Sequence, residues 1–571
     1  MTEPKALWTE AGEQLSSASP IPVPWNAYPR PQLRREEWLN LNGEWEYCTS
    51  KGSDEPDFGR TIRVPFCPES LLSGIAETAS ELHTHCYRRT FSVPESWLRK
   101  GTRILLHFGA ADQYAVVSLN DRFVGVHKGG YFPFTFDVTE SVRRISTLEV
   151  RVSDPLSDLE PWGKQKKKPG GMWYTPVSGL WQTVWMEPVP DRYISALTIE
   201  TGESEAVVRP EGVTEGVLEL DGKEYPLTGG AFRITFEHPR LWSPEDPFLY
   251  RFTIRAGRDT VSSYLALRTL SLQTVDGVNR LCLNGKPYFF HGLLDQGYWS
   301  DGLYTPADPG LYERDILFAK KAGFNTLRKH IKIEPDLYYE ACDRLGMVVF
   351  QDFVNNGQYS FFQDTLLPTL GFVKRSDRKK NRNERARANF EVYMAETVRL
   401  LRNHPCICLW TIFNEGWGQF CADEMTAKLR ELDGTRFIDA TSGWFAQSDS
   451  DVESIHTYFR PLKGGKTEKP WLLSEYGGYS CADPAHSYRP DKIYGYRKYK
   501  KPEDLKEGYR SLLEEQLLPL VQSGLSGAIY TQLSDVEEET NGLLTFDRRI
   551  EKIPAEVLAP ISEKLTAQNH C

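Results

Sequence analysis

The chain has 571 residues, too long for one ordinary domain at roughly 150 residues each, and its 40% hydrophobic and 26% charged residues describe a folded chain rather than a disordered one. Lys+Arg number 68 against Asp+Glu 78, a formal net charge of −10 that excludes a general nucleic-acid footprint. The longest strongly apolar run, around residues 406–413, is far short of the roughly 20 residues that span a bilayer, so no membrane partner is expected.

The N-terminus, MTEPKALWTEAGEQLSS, carries acids and lacks an apolar core, so no secretory signal is visible. The ten cysteines (48, 67, 86, 282, 342, 406, 408, 421, 481 and 571) form no CxxC pair, and no Asn-x-Ser/Thr sequon occurs. Reduced thiols in a cytoplasmic protein are expected.

Residues 1–190 alternate in short runs broken by Gly, Asn-Asp and Pro, as in ILLHFGAADQYAVVSLNDRFVGVHKGGYFPFTFDV. This pattern predicts an all-β sandwich of the jelly-roll kind. Residues 191–272 continue as short strands (ALTIE, AVVRP, VLELDG, FRITFE, YRFTIRA, YLALRTL) and predict a small immunoglobulin-like sandwich without its Cys…Trp…Cys framework. The basic run KQKKK at 164–168 and KRSDRKKNRNER at 374–385 are read as solvated loops in an acidic chain.

Over residues 273–571 apolar runs of four to eight residues alternate with amphipathic helical stretches, the mark of βα units. Eight strands are expected at 288–292, 325–329, 347–352, 406–413, 436–440, 454–457, 471–474 and 527–531. Helices are expected between them, for example at 311–321, 335–344, 389–402, 422–432 and 502–521. Together they predict a (β/α)8 barrel. Two long loops, 353–383 and 476–501, follow strands 3 and 7, at the rim where barrels build their sites.

Strand 4, CICLWTIFNEGWG, is apolar until Asn414 and Glu415 at its C-terminal edge, and strand 7, PWLLSEYGG, likewise reaches Glu475. A lone strand-end glutamate is accounted for by a salt bridge or a helix cap. Two of them, facing one mouth from nearly opposite strands, can flank a glycosidic bond, one protonating the leaving oxygen and one attacking as the anion. No HExxH, phosphate loop or GxSxG is present, which removes zinc-protease, P-loop and serine-hydrolase readings. HPCIC at 404–408 groups three potential metal ligands, but on a buried strand it reads as core. Neither a metal nor a cofactor is expected.

At these residues the chain resembles glycoside hydrolase family 2, the family of β-galactosidase, β-glucuronidase and β-mannosidase. WLNLNGEWEY at 38–47 is similar to its opening strand, GMWYTPVSGLWQTVWME to its G-I-W-R-x-V-x-L segment, and HPRLWSPEDPFLY to its P-x-LWSPE-x-P-x-LY motif. ALRTL, LCLNGKPYFFHG and AGFNTLRKH stand for its F-G-x-R, strand-1 and strand-2 segments, and NHPCICLWTIFNEGWG and LLSEYGG for its two catalytic signatures. The resemblance implies Glu415 as general acid/base and Glu475 as nucleophile. It implies that Asn414 meets the sugar 2-hydroxyl, that Tyr458 in IHTYF steadies the nucleophile, and that Arg328 supports it by charge pairing. Trp444 and Trp417 are ring-stacking platforms or core residues on this reading, and both alternatives stay open.

The chain also departs from the pattern. After Arg328 it has Lys329-His330-Ile331-Lys332, which makes His330 a subsite ligand without a clear counterpart, and strand 1 reads HGLLDQ, placing Asp295 and Gln296 at site positions. Strand 8 lacks the usual Trp and offers Gln532, Asp535 and Glu537–Glu539. Glucuronidases carry an Asn-x-Lys pair after strand 8; acids in its place repel a uronate. The expected activity is therefore a retaining exo-β-glycosidase acting on a terminal, neutral sugar of an oligosaccharide or glycoside. The alternatives are a uronic- or amino-sugar glycosidase, with Lys329, His330 and Lys332 as the cation source for a uronate, or a silent or transglycosylating carbohydrate-binding member. A homo-oligomer is compatible with the sequence.

Overall fold

The computed structural model describes residues 3–51, 54–78, 83–464 and 468–567. The N-terminal sandwich packs a six-stranded antiparallel sheet on a four-stranded one. Ile145–Ser153 shows how the sequence makes it: its inward residues are buried at every second position, and Leu148, Val150 and Val152 meet Trp45, Leu106 and Val117 in one core. The next sandwich sets three strands, Leu197–Thr201, Glu205–Pro210 and Phe232–Thr235, against four running from Val217 to Leu265, around Ile199, Val208, Phe232, Ile254 and Val261. Arg35 ties the two sandwiches, with its guanidinium on Asp259 at 2.8 and 2.9 Å and on Glu187 at 3.1 Å.

The barrel strands are β1 (Phe290–Asp295), β2 (Thr326–Lys329), β3 (Val348–Asp352), β4 (Ile407–Asn414), β5 (Phe437–Ser442), β6 (Glu453–Thr457), β7 (Trp471–Tyr476) and β8 (Leu525–Tyr530). They are parallel, in the order β5-β4-β3-β2-β1-β8-β7-β6. Every residue of β1 to β5, β7 and β8 is buried, which is why a stretch such as β4, ICLWTIFN, reads as a continuous apolar run up to Asn414. Among the described residues β5 and β6 share no ladder. Their connection, 443–452, holds no helix to draw the strands together, and the seam is closed instead by Asp451 N–H on the Ile438 carbonyl and Ser454 Oγ on Asp439, both 2.9 Å.

Helices flank the strands as expected, with two differences. The helix expected at 389–402 begins earlier, at Glu384, because the Asn383 side chain accepts from the Arg385 and Ala386 N–H groups and caps it. The single helix expected at 502–521 is interrupted: Pro502–Ser511 and Leu518–Gln522 are α-helical, and Leu512–Leu517 between them is a π-turn ahead of Pro519, which has no N–H for the ladder. No helix among the described residues is long and apolar enough to cross a membrane. Nine cysteines are free thiols; Cys571 lies outside the described residues.

Candidate active site

Strand β4 leaves the barrel in an abrupt turn. Glu415 takes φ +53° and Gly416 φ +68°, a left-handed pair that costs the non-glycine residue roughly 1–2 kcal/mol. The Glu415 N–H is anchored on the Ser442 carbonyl at 2.9 Å, and Trp444 Nε1 donates to the Glu415 carbonyl at 3.0 Å. Its carboxylate stays partly open, at 18% exposure, and Oε1 meets His456 Nδ1 at 2.9 Å.

Glu475, on β7, is buried at 5% exposure and held on both oxygens. Arg328 Nη1 donates to Oε1 at 3.1 Å, and the Tyr458 hydroxyl donates to Oε2. His456 Nε2 lies 3.5 Å from Oε1 and 3.0 Å from Ser442 Oγ. One imidazole thus bridges the two carboxylates, and one donor atom each of Glu415, His456 and Glu475 falls within 4.8 Å of the others. A divalent ion would fit that spacing, but the donor set is already committed: Arg328 and Tyr458 hold Glu475, and the two ring nitrogens face different partners. The cluster reads as a proton-holding network.

Arg328 organises the floor. Its guanidinium grips Asp352 through Nε and Nη2, both at 3.0 Å, and also donates to Asn414 Oδ1 at 2.8 Å. Since Arg can only donate, it fixes the Asn414 amide with oxygen toward the floor. Burial would raise the Glu475 carboxyl from its ordinary 4.5, but His456, Arg328 and His330 outweigh it and bring it to about 2. Glu475 is therefore an anion.

Three family models match in order: the glycosyl hydrolases family 2 sugar binding domain at 70–154, the glycosyl hydrolases family 2 domain at 193–268, and the family 2 TIM barrel domain at 275–552. The chain belongs to glycosyl hydrolase family 2. A β-galactosidase from Thermoanaerobacter pseudethanolicus is 25% identical over 499 residues, covering 79% of this chain but only 62% of its own length. A β-glucuronidase from Felis catus is 25% identical over 471 residues, 72% of this chain and 68% of that one. The solved β-D-glucuronidase of Dictyoglomus thermophilum superposes with a TM-score of 0.73 at 18% identity, covering 94% of this chain and 98% of its own, a likeness of fold.

Within the family 2 frame, the structure brings Glu415, Glu475, Asn414, Arg328 and Tyr458 into one mouth. His330 joins them at one remove, its Nδ1 on Asp352 Oδ2 at 2.8 Å. Trp444 borders the mouth edge-on to His456, with its N–H spent on backbone carbonyls. Trp417 is core: 3% exposed and wedged against Trp162 and Trp173, it presents no open face to a sugar. Asp295 is likewise committed, taking Lys329 Nζ at 2.6 Å and the Gly297 N–H at 2.9 Å. Lys329 and Lys332 both close on Glu334 at 2.9 Å, so neither supplies a cation to the mouth.

The strand-8 acids have a use that their sequence hides. Glu537 accepts the Thr175 N–H at 2.8 Å, Glu538 the Gly171 N–H at 3.1 Å, and Glu539 the Tyr174 hydroxyl. Three consecutive acids of the barrel clamp one loop of the first sandwich. That loop carries Trp173, Tyr174 and the KQKKK run to the rim, so Lys164 and Lys166 stand beside the mouth instead of in a solvated loop. Glu538 also pairs with Arg489 and Lys492 of the long loop after β7.

Sequence reasoning missed His456, Asp352 and the clamp. His456 lies in β6 two residues before Tyr458, which follows directly on the strand, and Asp352 ends β3 as Glu475 nears the end of β7; both signals were present. The clamp joins residues 362 to 367 positions apart and left no local trace.

Proposed function

We propose that this chain is a retaining, exo-acting β-glycosidase. The observation that carries the reading is the short span between the two carboxylates, whose nearest oxygens lie within 4.8 Å. A separation near 5 Å leaves no room for an attacking water between acid and sugar, whereas inverting enzymes need roughly 6.5–9.5 Å. Glu475, an anion fixed by Arg328 and Tyr458, attacks the anomeric carbon as Glu415 gives its proton to the departing oxygen. The glycosyl ester on Glu475 is then opened by water, whose proton Glu415 takes back, and the configuration is retained. Asn414, pinned by Arg328, offers its amide N–H groups to the neighbouring sugar hydroxyl. The loop after β7, whose Tyr496 stacks on Tyr458 at 3.7 Å, walls the nucleophile side of the mouth, which suits removal of a terminal residue.

The reacting sugar on this reading is neutral. Lys329 and Lys332 are consumed by Asp295 and Glu334, and Glu539 is buried close enough to Glu475 for their charges to interact. A uronate carboxylate placed there meets acids, and Lys164, whose charge reaches Glu539, is already offset by it. The test is a panel of 2-deoxy-2-fluoro glycosides of galactose, glucuronic acid, mannose, glucosamine and arabinose, read by mass spectrometry of the trapped peptide, with NMR of the first-formed anomer. A neutral sugar on a peptide containing Glu475, with retained configuration, is expected. An inverted anomer overturns the mechanism, and preferential trapping of the glucuronide overturns the choice of sugar.

A further inference from the structure

Two ammonium groups meet at one indole at the rim, and Lys164 alone has an acid within reach of its charge, Glu539. Lys166 Nζ lies 4.3 Å from the centre of the Trp173 ring and 4.9 Å from that of Tyr359, and Lys164 Nζ lies 5.5 Å from Trp173 and 5.9 Å from Tyr174. Both residues are half-buried, and among the described residues neither ammonium makes a hydrogen bond or an ion pair. Other lysines of the barrel entrance are neutralised: Lys329 and Lys332 by Glu334, Lys380 by Asp364 at 2.8 Å, Lys492 by Glu538. Two like charges beside one indole ring repel each other, and the aromatic rings compensate only in part. Burial and the charge of Lys164 both pull the Lys166 ammonium below its ordinary range. An anion beside Lys166 would relieve both costs.

The position of Lys166 says which part of a substrate would carry that anion. Trp173 packs on Trp417, two residues beyond Glu415, at 5.1 Å, and the Tyr359 hydroxyl feels the Glu415 charge. Whatever Glu415 protonates is the leaving group, so the space beyond Glu415 belongs to the leaving group and not to the reacting sugar. The clamp of Glu537, Glu538 and Glu539 holds the lysine-bearing loop in this place.

Resting on the glycosidase reading above, we propose that Lys166, with Lys164 as its neighbour, forms a binding subsite for an anionic group, a carboxylate or a sulfate ester, on the leaving-group side of the substrate. The enzyme would thus remove a neutral terminal sugar from an acidic glycan or an acidic aglycone.

The experiment pairs umbelliferyl glycosides of whichever sugar the panel selects, one with a neutral 4-methyl aglycone, one with a 3-carboxylate and one with a sulfate ester. Each is assayed with wild type, Lys166→Met, Lys164→Met and Lys166→Arg. Comparing each variant with wild type on the same substrate removes differences in leaving-group reactivity. Lys166→Met should raise KM for an anionic substrate at least tenfold relative to the change for the neutral one, with kcat little affected. Lys166→Arg should restore most of it, and salt should erode the wild-type preference. The carboxylate and sulfate arms decide which anion is favoured. Equal changes for charged and neutral aglycones would show that Lys166 only holds the rim together and would overturn the proposal. So would a selective loss on a glucuronide with a neutral aglycone, which would place the anion on the reacting sugar. If no glycoside turns over, the glycosidase reading has failed by itself. Tryptophan-fluorescence titration with paired 4-carboxyphenyl and phenyl thioglycosides then still tests the subsite: tighter binding of the carboxylate, lost in Lys166→Met, supports it, and equal binding overturns it.

Discussion

Glu475 and Glu537 are the same residue type, both buried at the C-terminal rim of one barrel, and they carry opposite charge preferences. Glu475 is brought to about 2 against its burial by His456 and Arg328. Glu537 is pushed by burial to about 7, because a backbone N–H from Thr175 and the more distant Arg489 do not offset its desolvation and the charge of Glu538. Burial sets the cost of ionisation and the adjacent cation decides whether it is met. One carboxylate is thereby kept as an anion at the mouth, and the other as a clamp that prefers its proton.

The largest break in that comparison is Glu475→Ala. With no carboxylate to form the glycosyl ester, turnover of an activated aryl glycoside should fall by roughly four powers of ten or more. Retention of over a tenth of wild-type activity would remove Glu475 from the mechanism. Glu415→Ala should cost less and unevenly: poor leaving groups lose roughly 10²–10⁴-fold, while good ones form the intermediate and stall at its hydrolysis. Azide should enter the space the side chain leaves and give a β-glycosyl azide of retained configuration. Equal losses on good and poor leaving groups, without azide product, would make Glu415 structural.

His456→Asn sharpens the comparison by removing the largest influence that lowers Glu475. Burial then weighs more, so the acid limb of kcat/KM should move to higher pH, and kcat should fall roughly tenfold as the bridge between the carboxylates is lost. The sign also applies to stability. A carboxyl depressed from 4.5 to about 2 contributes stability that is present above 4.5 and is lost as the pH falls toward 2. The variant should therefore lose less of its Tm than wild type over that window. An unmoved acid limb would separate His456 from the charge of Glu475.

What was legible in the sequence divides along the same line. Strands β4 and β7 announced themselves because a parallel strand buried on both faces has to be apolar, so an acid at its end stands out within a dozen residues. The sandwiches were legible from alternation such as that of Ile145–Ser153. The clamp was not, since its acids are adjacent in sequence and their partners lie more than 360 residues away. Glu537–Glu539 read as a repulsive patch, and KQKKK as a solvated loop, because charge in a sequence carries no sign of what it faces. Trp417 was undecidable for the same reason: its neighbours Trp162 and Trp173 come from a loop of the first sandwich, far away in sequence.

The smallest effect tests the other half of the pair. Glu537 has a folded-state value above its ordinary 4.5, so its contribution to stability is complete below 4.5 and is lost as the pH rises through about 7, where the clamp acid is forced to ionise in a buried place. Other buried carboxyls respond in the same range, Asp439 and Asp535 at about 6 among them, so wild type alone is not informative. The difference between wild type and Glu537→Gln isolates one group. The glutamine oxygen can still accept the Thr175 N–H but cannot ionise. Its Tm should equal or trail that of wild type near pH 5 and exceed it by about 2–4 °C near pH 8, the shift expected of roughly 1 kcal/mol in a unit of some 150–250 residues. A difference that stays constant from pH 5 to pH 8 would mean that Glu537 is already ionised in the folded clamp, and the contrast with Glu475 would fall.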